Sequence, residues 1–378
     1  MIKREIYGEI KQRLNSVELF DVLEINIKIK PKFSGDDTSH VNGYEIKAVM
    51  CNSLPANAAD WMKLVQRQIQ RINKRVTKNN NWNIFYVYKE LFQIITEKSF
   101  VRFNYFRGQN KDWDLKPGIF RDDLDDAFVN NYDQIYEDIA KEYPENLKYI
   151  PFEDNLEQME KRANQLAYLQ HYGYRTSLLD ITKNPFIALQ FMLKGCSLDE
   201  WYPNTFYAFA IDPRKHERNN IFMSTMKEKN NNRIKAQFGA FLNFDRLYKI
   251  VESGIQKIPT LKIIISKDIS DAIKDIDTGI KSAKKLQSTN NKLGRQMEAT
   301  YKKLKKSVPD NVKKELYFFV FSEMVSKLRE YYYLEENLFP DFADYVMFTK
   351  DKYLDSNEPM RLNNQLENIA RYGKKYEP

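Results

Sequence analysis

Glu24 to Lys30 alternates polar residues with Ile25, Ile27 and Ile29, and this period of two predicts a half-buried strand ending at Pro31. Phe33 to Asn42 is rich in Ser, Gly, Asp and Thr and reads as a loop. Tyr44 to Met50 is a second strand candidate. The period then changes. Trp61, Val65, Ile69, Ile72 and Val76 recur at three- and four-residue spacing, which predicts an amphipathic helix over Asn57 to Lys78. Lys63, Arg67, Arg71, Lys74, Arg75 and Lys78 cover its other faces. A more apolar helix is predicted from Trp82 to Thr96.

Val101 to Arg107 carries bulky groups on both faces of a strand. Asp154 to Gln170 places Leu156, Met159, Ala163, Leu166 and Leu169 on one helical side, with Gly173 as a left-handed cap. Arg175 to Ile181 is extended. Asn184 then caps a helix with Pro185 at its first position, Phe186 to Lys194 as its body and Gly195 as its stop. Thr205 to Ile211 and Leu261 to Ser266 read as strands, as does Leu316 to Phe321, followed by a helix from Ser322 to about Tyr331. The two periods together predict an α+β fold, a mixed sheet of moderate size flanked by helices. Residues 1–98 are expected to form a smaller N-terminal domain of mixed α/β character, 99–349 the main domain and 350–378 a tail. Within the main domain, 277–306 holds nine Lys or Arg against two acids and reads as a helical hairpin or a mobile insertion.

The 378 residues are 42% hydrophobic, with 24 Phe and 24 Tyr, enough apolar surface to offset the entropy of ordering. Two cysteines, Cys51 and Cys196, exclude a disulfide framework and suit the cytosol. The N-terminus carries Glu5 and no apolar run, so no signal peptide is expected. The densest apolar stretch, Phe186 to Leu193, is too short to span a bilayer. His40, His171 and His216 share no helix-turn spacing with one another or with a cysteine, so no metal site is expected. A net charge of +8 and a pI near 9.0 favour anionic partners. The basic elements 57–78 and 277–306 are candidates for contact with nucleic acid or a protein acceptor; the alternative is a solvated Lys-rich surface.

Four blocks carry a family resemblance. Tyr105-Phe106-Arg107-Gly108-Gln109 is followed by Trp113, Leu115, Pro117 and Phe120-Arg121. Gln170-His171-Tyr172-Gly173 leads through Arg175-Thr176-Ser177-Leu178-Leu179-Asp180-Ile181-Thr182 into Asn184-Pro185-Phe186-Ile187-Ala188-Leu189. Arg233 precedes Gln237-Phe238-Gly239-Ala240-Phe241, and Leu338-Phe339-Pro340-Asp341 closes the series. The order and spacing resemble the FRG domain family over roughly 99–349, although Arg175-Thr176-Ser177 stands where that family has Pro-Thr-Arg, and Ile181 where Trp is common. A strand-end arginine, a Thr-Ser strand and a late Gln-x-Gly are also similar in order to the arginine–serine–glutamate ADP-ribosyltransferases.

The second resemblance implies an ADP-ribosyltransferase-like core that uses NAD as substrate, in an intracellular bacterial toxin or phage-defence effector. It implies that Arg107, Gly108, Gln109, Thr176 and Ser177 bind an anionic nucleotide, and that His171, Asp180 and Gln237 carry the chemistry. A planar guanidinium grips pyrophosphate in two places, as a lysine cannot. Asp180, in an otherwise apolar strand, needs a partner that Arg107, Arg121 or Arg175 could supply. Other roles remain open: Arg107 and Asp180 as a structural ion pair, His171 as a helix-end residue, Asp341 as a helix cap. A non-enzymatic module that binds nucleotide or nucleic acid is the alternative function.

Overall fold

Eight strands hydrogen-bond into one mixed sheet in the computed structural model, which describes residues 6–34, 37–78, 82–98, 101–194, 204–224, 232–250, 254–334, 337–338, 340 and 346. Gly195, Cys196, Phe339, Asp341 and the tail 350–378 lie outside the described residues. In chain order the elements are α1 (Ile6–Ser16), β1 (Phe20–Ser34), β2 (Asp37–Cys51), α2 (Asp60–Lys78), α3 (Ile84–Gln93), β3 (Tyr105–Gln109), α4 (Asp126–Glu142), α5 (Leu156–His171), β4 (Leu178–Thr182), α6 (Pro185–Leu193), β5 (Thr205–Phe209), α7 (Pro213–Asn219), β6 (Phe222–Met223), α8 (Asn232–Ala236), β7 (Gly239–Asn243), β8 (Ile258–Lys267), α9 (Ser270–Leu286) and α10 (Asn291–Glu330). The sheet order is β2-β1-β8-β5-β3-β4-β7-β6. Only β1 and β8 pair in parallel among these strands; the other neighbours are antiparallel.

Side-chain alternation divides the core between the two faces of the sheet. Phe106, Phe206, Ala208, Ile25, Ile27 and Ile263 point to one face, which α2, α3, α6 and the C-terminal part of α10 cover. Tyr105, Tyr207 and Phe209 point to the other, under α1, α4 and α5. Each large side chain buried in this way contributes about 1.5–3 kcal/mol. β1 and β2, from the segment expected as a smaller N-terminal domain, are strands of this same sheet, and α2 and α3 share its core with β3 and β5.

Three local expectations differ from the structure. β1 runs through Pro31 to Ser34, and β2 begins at Asp37, inside the expected loop. The β1–β8 ladder ends at Ile29↔Lys267, so one flank of β1 is open at Pro31, where a missing N–H breaks no ladder. Val101 and Phe103 precede the strand, which starts only at Tyr105. Leu316 to Phe321 is helix, inside the 40-residue α10, and Ser322 is an interior residue. Leu316, Val320, Met324 and Leu328 are four apart and buried with Tyr317 and Phe321 on one helical face. A short apolar run does not by itself distinguish a strand from a buried helix.

Arg162 on α5 is fully buried and holds the α1/α4/α5 layer together. Its guanidinium lies 2.7 Å from Asp133 on α4 and 3.5 Å from Asp245 after β7. It donates to the Tyr7 hydroxyl on α1 at 3.0 Å and to the Ile150 carbonyl at 2.5 Å. Burial opposes its charge, but Tyr7, Asp245 and Asp133 outweigh burial and raise its pKa well above the usual value. At the other end of the sheet, burial followed by the nearby Lys313 pushes Lys267 down to about 6. Its ammonium position lies 3.3 Å from the Lys313 carbonyl and over the Tyr317 ring.

Arg162→Met is expected to destabilise the fold by about 3–5 kcal/mol, because it strands two buried carboxylates without their cation. Urea denaturation measures this. A loss below about 1 kcal/mol would show that the network is not holding the layer. Lys267→Met is expected to stabilise by on the order of 1 kcal/mol near neutral pH. Folding releases a proton from Lys267 between its folded pKa of about 6 and its unfolded value near 10.4, so wild-type stability gains from rising pH across that window. The gain from Lys267→Met is therefore full below pH 6 and vanishes above about 10.4. Melts at three pH values check both sign and window.

Candidate functional site

β3 pairs with β5 along its whole length, Tyr105↔Phe209 to Gln109↔Thr205. β4 pairs with β7 in the same way, Leu178↔Asn243 to Thr182↔Gly239. Between them, β3 and β4 share only Phe106↔Thr182. Beyond that pair the strands part, and a cleft of about 290 Å³ opens in the middle of the sheet. The Arg107 side chain replaces the missing ladder: its Nη1 donates to the Asp180 backbone carbonyl at 2.7 Å.

The cleft brings together Arg107, Gly108, Gln109, His171, Asp180 and Gln237, drawn from three separate stretches of the chain. Gln109 is buried and accepts from Arg107 Nε at 3.0 Å, while its amide donates to the Trp113 carbonyl at 2.8 Å. Gln109 thus fixes the plane of the guanidinium. Burial pushes the Arg107 pKa down to about 10, with Asp180 opposing and Arg121 reinforcing the fall, so the group stays charged at neutral pH. Its Nη2 makes no hydrogen bond to a described residue. Asp180 is the only carboxylate among the described lining residues. Gln170 donates to it at 2.5 Å and accepts from Thr176 Oγ1 at 2.5 Å, so one amide links the β4 acid to the turn before the strand.

Thr176 and Ser177, expected to contact the ligand, are buried behind this wall instead. Thr176 Oγ1 also accepts from the Leu178 N–H, and Ser177 sits beside Asp245. Gln237 lines the cleft, but its amide donates to the Leu338 carbonyl at 3.0 Å and its own carbonyl accepts from Thr182 Oγ1 at 2.6 Å. The next residue, Phe238, has φ of 50° and is exposed, a strained conformation for a bulky side chain. His171 ends α5 among Tyr168 and Tyr172, with a ring centroid 5.1 Å from that of Tyr172. Arg175, a candidate partner for Asp180, pairs with Asp123 at 2.9 Å. Arg121 lies over the Trp113 ring at 4.8 Å.

Gly108 has a structural reason distinct from ligand approach. α6 packs so closely on β3 that a Cβ there would run into the Ala188 carbonyl oxygen and lie 2.5 Å from the Met192 amide nitrogen. Motif reading passed over Gln170, Trp113, Asn110, Lys194 and Ile234 as site residues, although all five line the cleft. Gln170 was the most accessible of them, since it directly precedes His171 at the end of a helix.

Among the described residues no group of three or more His, Cys, Asp or Glu could hold a metal ion, and no helix is long and apolar enough to cross a membrane. The FRG domain family matches residues 102–200, a stretch running from just before β3 past α6. No curated protein and no solved structure matches the chain. The likeness to ADP-ribosyltransferases therefore rests on motif order alone. Arg107, Gly108, Gln109, His171 and Asp180 fall inside the matched stretch and Gln237 outside it. Residues 102–200, which match the FRG domain family, supply most of the cleft's polar wall.

Proposed function

We propose that the cleft binds an anionic nucleotide through Arg107, and that the chain uses NAD there as an ADP-ribosyltransferase-like enzyme. The observation that carries this reading is the state of Arg107. It is charged, held in plane by Gln109 and Asp180, and retains a guanidinium nitrogen without a partner among the described residues. A guanidinium fixed in this way is prepared for the two parallel hydrogen bonds that phosphate accepts. Trp113, 40% exposed, adds a planar apolar surface at the mouth for a base. The volume, about 290 Å³, is at the small end for ligand pockets, so it would enclose one half of a dinucleotide.

Cleavage of the nicotinamide–ribose bond builds positive charge on the ribose, and a carboxylate next to it stabilises that charge. Asp180 is the lining residue suited to this, with Gln170 orienting it. Gln237 could orient a ribose hydroxyl, but an amide cannot act as a general base. His171 at the rim is the remaining titratable group of the proposed set. An intracellular toxin or defence effector is the setting this chemistry suggests. The non-enzymatic module keeps one observation in its favour: the Asp180 carboxylate is already engaged by Gln170.

Arg107→Ala is expected to lose about 1.5–3 kcal/mol of NAD affinity, ten- to hundredfold, while remaining folded. Arg107→Lys should lose much of the same, because an ammonium keeps charge without the fork. Asp180→Asn should keep NAD binding within a few-fold and stop nicotinamide release. Calorimetry with NAD and a nicotinamide assay read all three. Wild type that binds NAD without releasing nicotinamide makes the domain a binding module. Absence of heat with NAD, ADP and AMP alike removes the nucleotide reading altogether.

A further inference from the structure

Seven of the chain's eight net positive charges fall within residues 277–306, where nine Lys or Arg face only Asp277 and Glu298. The remainder of the protein is close to neutral. These residues form the outer parts of α9 and α10, two helices packed side by side. Their base is fixed to the body by Ile276, Val312 and Val41, with Phe33, Ile280, Tyr301, Leu304 and Phe319 around them. Farther out, between 281 and 306, the buried residues are Ala283 and Gly294, both at the contact between the two helices. The outer part of α10, residues 291–306, therefore carries the hairpin about 24 Å along its axis, largely clear of the sheet and its covering helices.

The hairpin has the packing of a rigid support. A Cβ on Gly279 would strike the Tyr301 ring, and one on Gly294 would lie 2.7 Å from the Gln287 amide nitrogen and 2.9 Å from the Ala283 carbonyl. The helices touch at glycines from both sides. Its two acids are consumed internally: Glu298 pairs with Lys302 at 2.8 Å and Asp277 with Lys305 at 2.5 Å. Lys281, Lys285, Lys292, Arg295 and Lys306 are exposed with no carboxylate paired to them among the described residues, and Lys284, also exposed, is in no ion pair but interacts with the nearby Glu298 charge. The segment's one aromatic, Tyr301, is half-buried against Gly279. The hairpin thus offers phosphate-binding cations on a fixed frame and no ring on which an unpaired base could stack.

We propose that the α9–α10 hairpin binds the phosphate backbone of duplex DNA without reading its sequence. Duplex DNA presents one negative charge per about 1.7 Å of axis, and the six exposed cations of the two packed helices are complementary to that charge. The exposed cations offer charge to a phosphate backbone and no group that singles out a base or a sugar, so the proposal is for duplex DNA bound through its phosphates, with duplex RNA an outcome of the test. The hairpin lies apart from the cleft, and this contact is independent of what the cleft binds.

The test is fluorescence anisotropy of the full chain with a mixed-sequence DNA duplex of about 30 base pairs, from 50 to 200 mM salt. With six phosphate contacts the log–log salt slope should be about −5, so affinity falls about a thousandfold over that range. Changing Lys281, Lys284, Lys285, Lys292, Arg295 and Lys306 together to Gln keeps helix propensity and should flatten the slope to near zero. The smaller set Lys284→Gln, Lys285→Gln and Arg295→Gln should halve the slope and guards against misfolding of the larger one, with circular dichroism as the fold check. Arg67→Gln, Arg71→Gln and Lys74→Gln on α2 should leave the slope as it is. The proposal is overturned by absence of DNA binding, by hairpin variants that bind with the wild-type slope, or by equal losses from the α2 set. Tighter binding to duplex RNA, to single strands or to anionic vesicles overturns it too.

Discussion

One buried guanidinium sets the geometry on which the cleft depends. Arg162, on α5, has no exposed surface and is held by Tyr7 of α1, Asp133 of α4, the Ile150 carbonyl and Asp245 of the chain leaving β7. Its charge is costly to bury, and it is tolerated because Asp133, Asp245, Tyr7 and a carbonyl surround it in one arrangement. That demand for a specific arrangement locks α5 against the sheet. Just over two turns farther along the same helix are Gln170 and His171, so the register of α5 also fixes the wall of the cleft.

The cleft itself comes from an interrupted ladder. β3 is committed to β5 and β4 to β7, and the two halves of the sheet meet at a single residue pair. Backbone groups left open by the split need partners, and the Arg107 side chain satisfies the Asp180 carbonyl. The same guanidinium is thereby brought to the surface of the opening. Behind it, α6 sits nearly in van der Waals contact with the β3 backbone at Gly108, which closes the rear of the site with Phe191 and Lys194. A structural requirement and a ligand-binding opportunity therefore rest on one tripeptide, Phe106-Arg107-Gly108.

The C-terminal helix joins two regions of opposite character. Its inner half, with Leu316, Tyr317, Val320, Phe321, Met324 and Leu328, is part of the main core. Its outer half is a polar, basic rod supported mainly by α9. The 40-residue helix runs from the core into the rod, and Pro309, which cannot donate the i→i−4 bond, lies at the join between its two halves. The β1–β2 hairpin reaches the same place, since Val41 and Phe33 complete the small cluster at its base.

Much of this was legible in the sequence because it depends on neighbours in the chain. The period-3.6 helices over 60–78 and 156–171, the Asn184-Pro185 helix start and the alternating Ile25, Ile27 and Ile29 all follow from local spacing and capping. The Arg107, Asp180 and Gln237 blocks were also visible as charged or polar groups in apolar surroundings. Tertiary structure alone decided the rest. That the N-terminal strands join the main sheet depends on a β1–β8 ladder across more than two hundred residues, for which one chain carries no local mark. That Thr176 and Ser177, just before β4, are buried depends on Gln170 of α5 and Asp245 after β7, which pack against them from distant parts of the chain. Whether Leu316 to Phe321 is strand or helix depends on what lies above it, because an apolar run suits both until a partner surface selects one period.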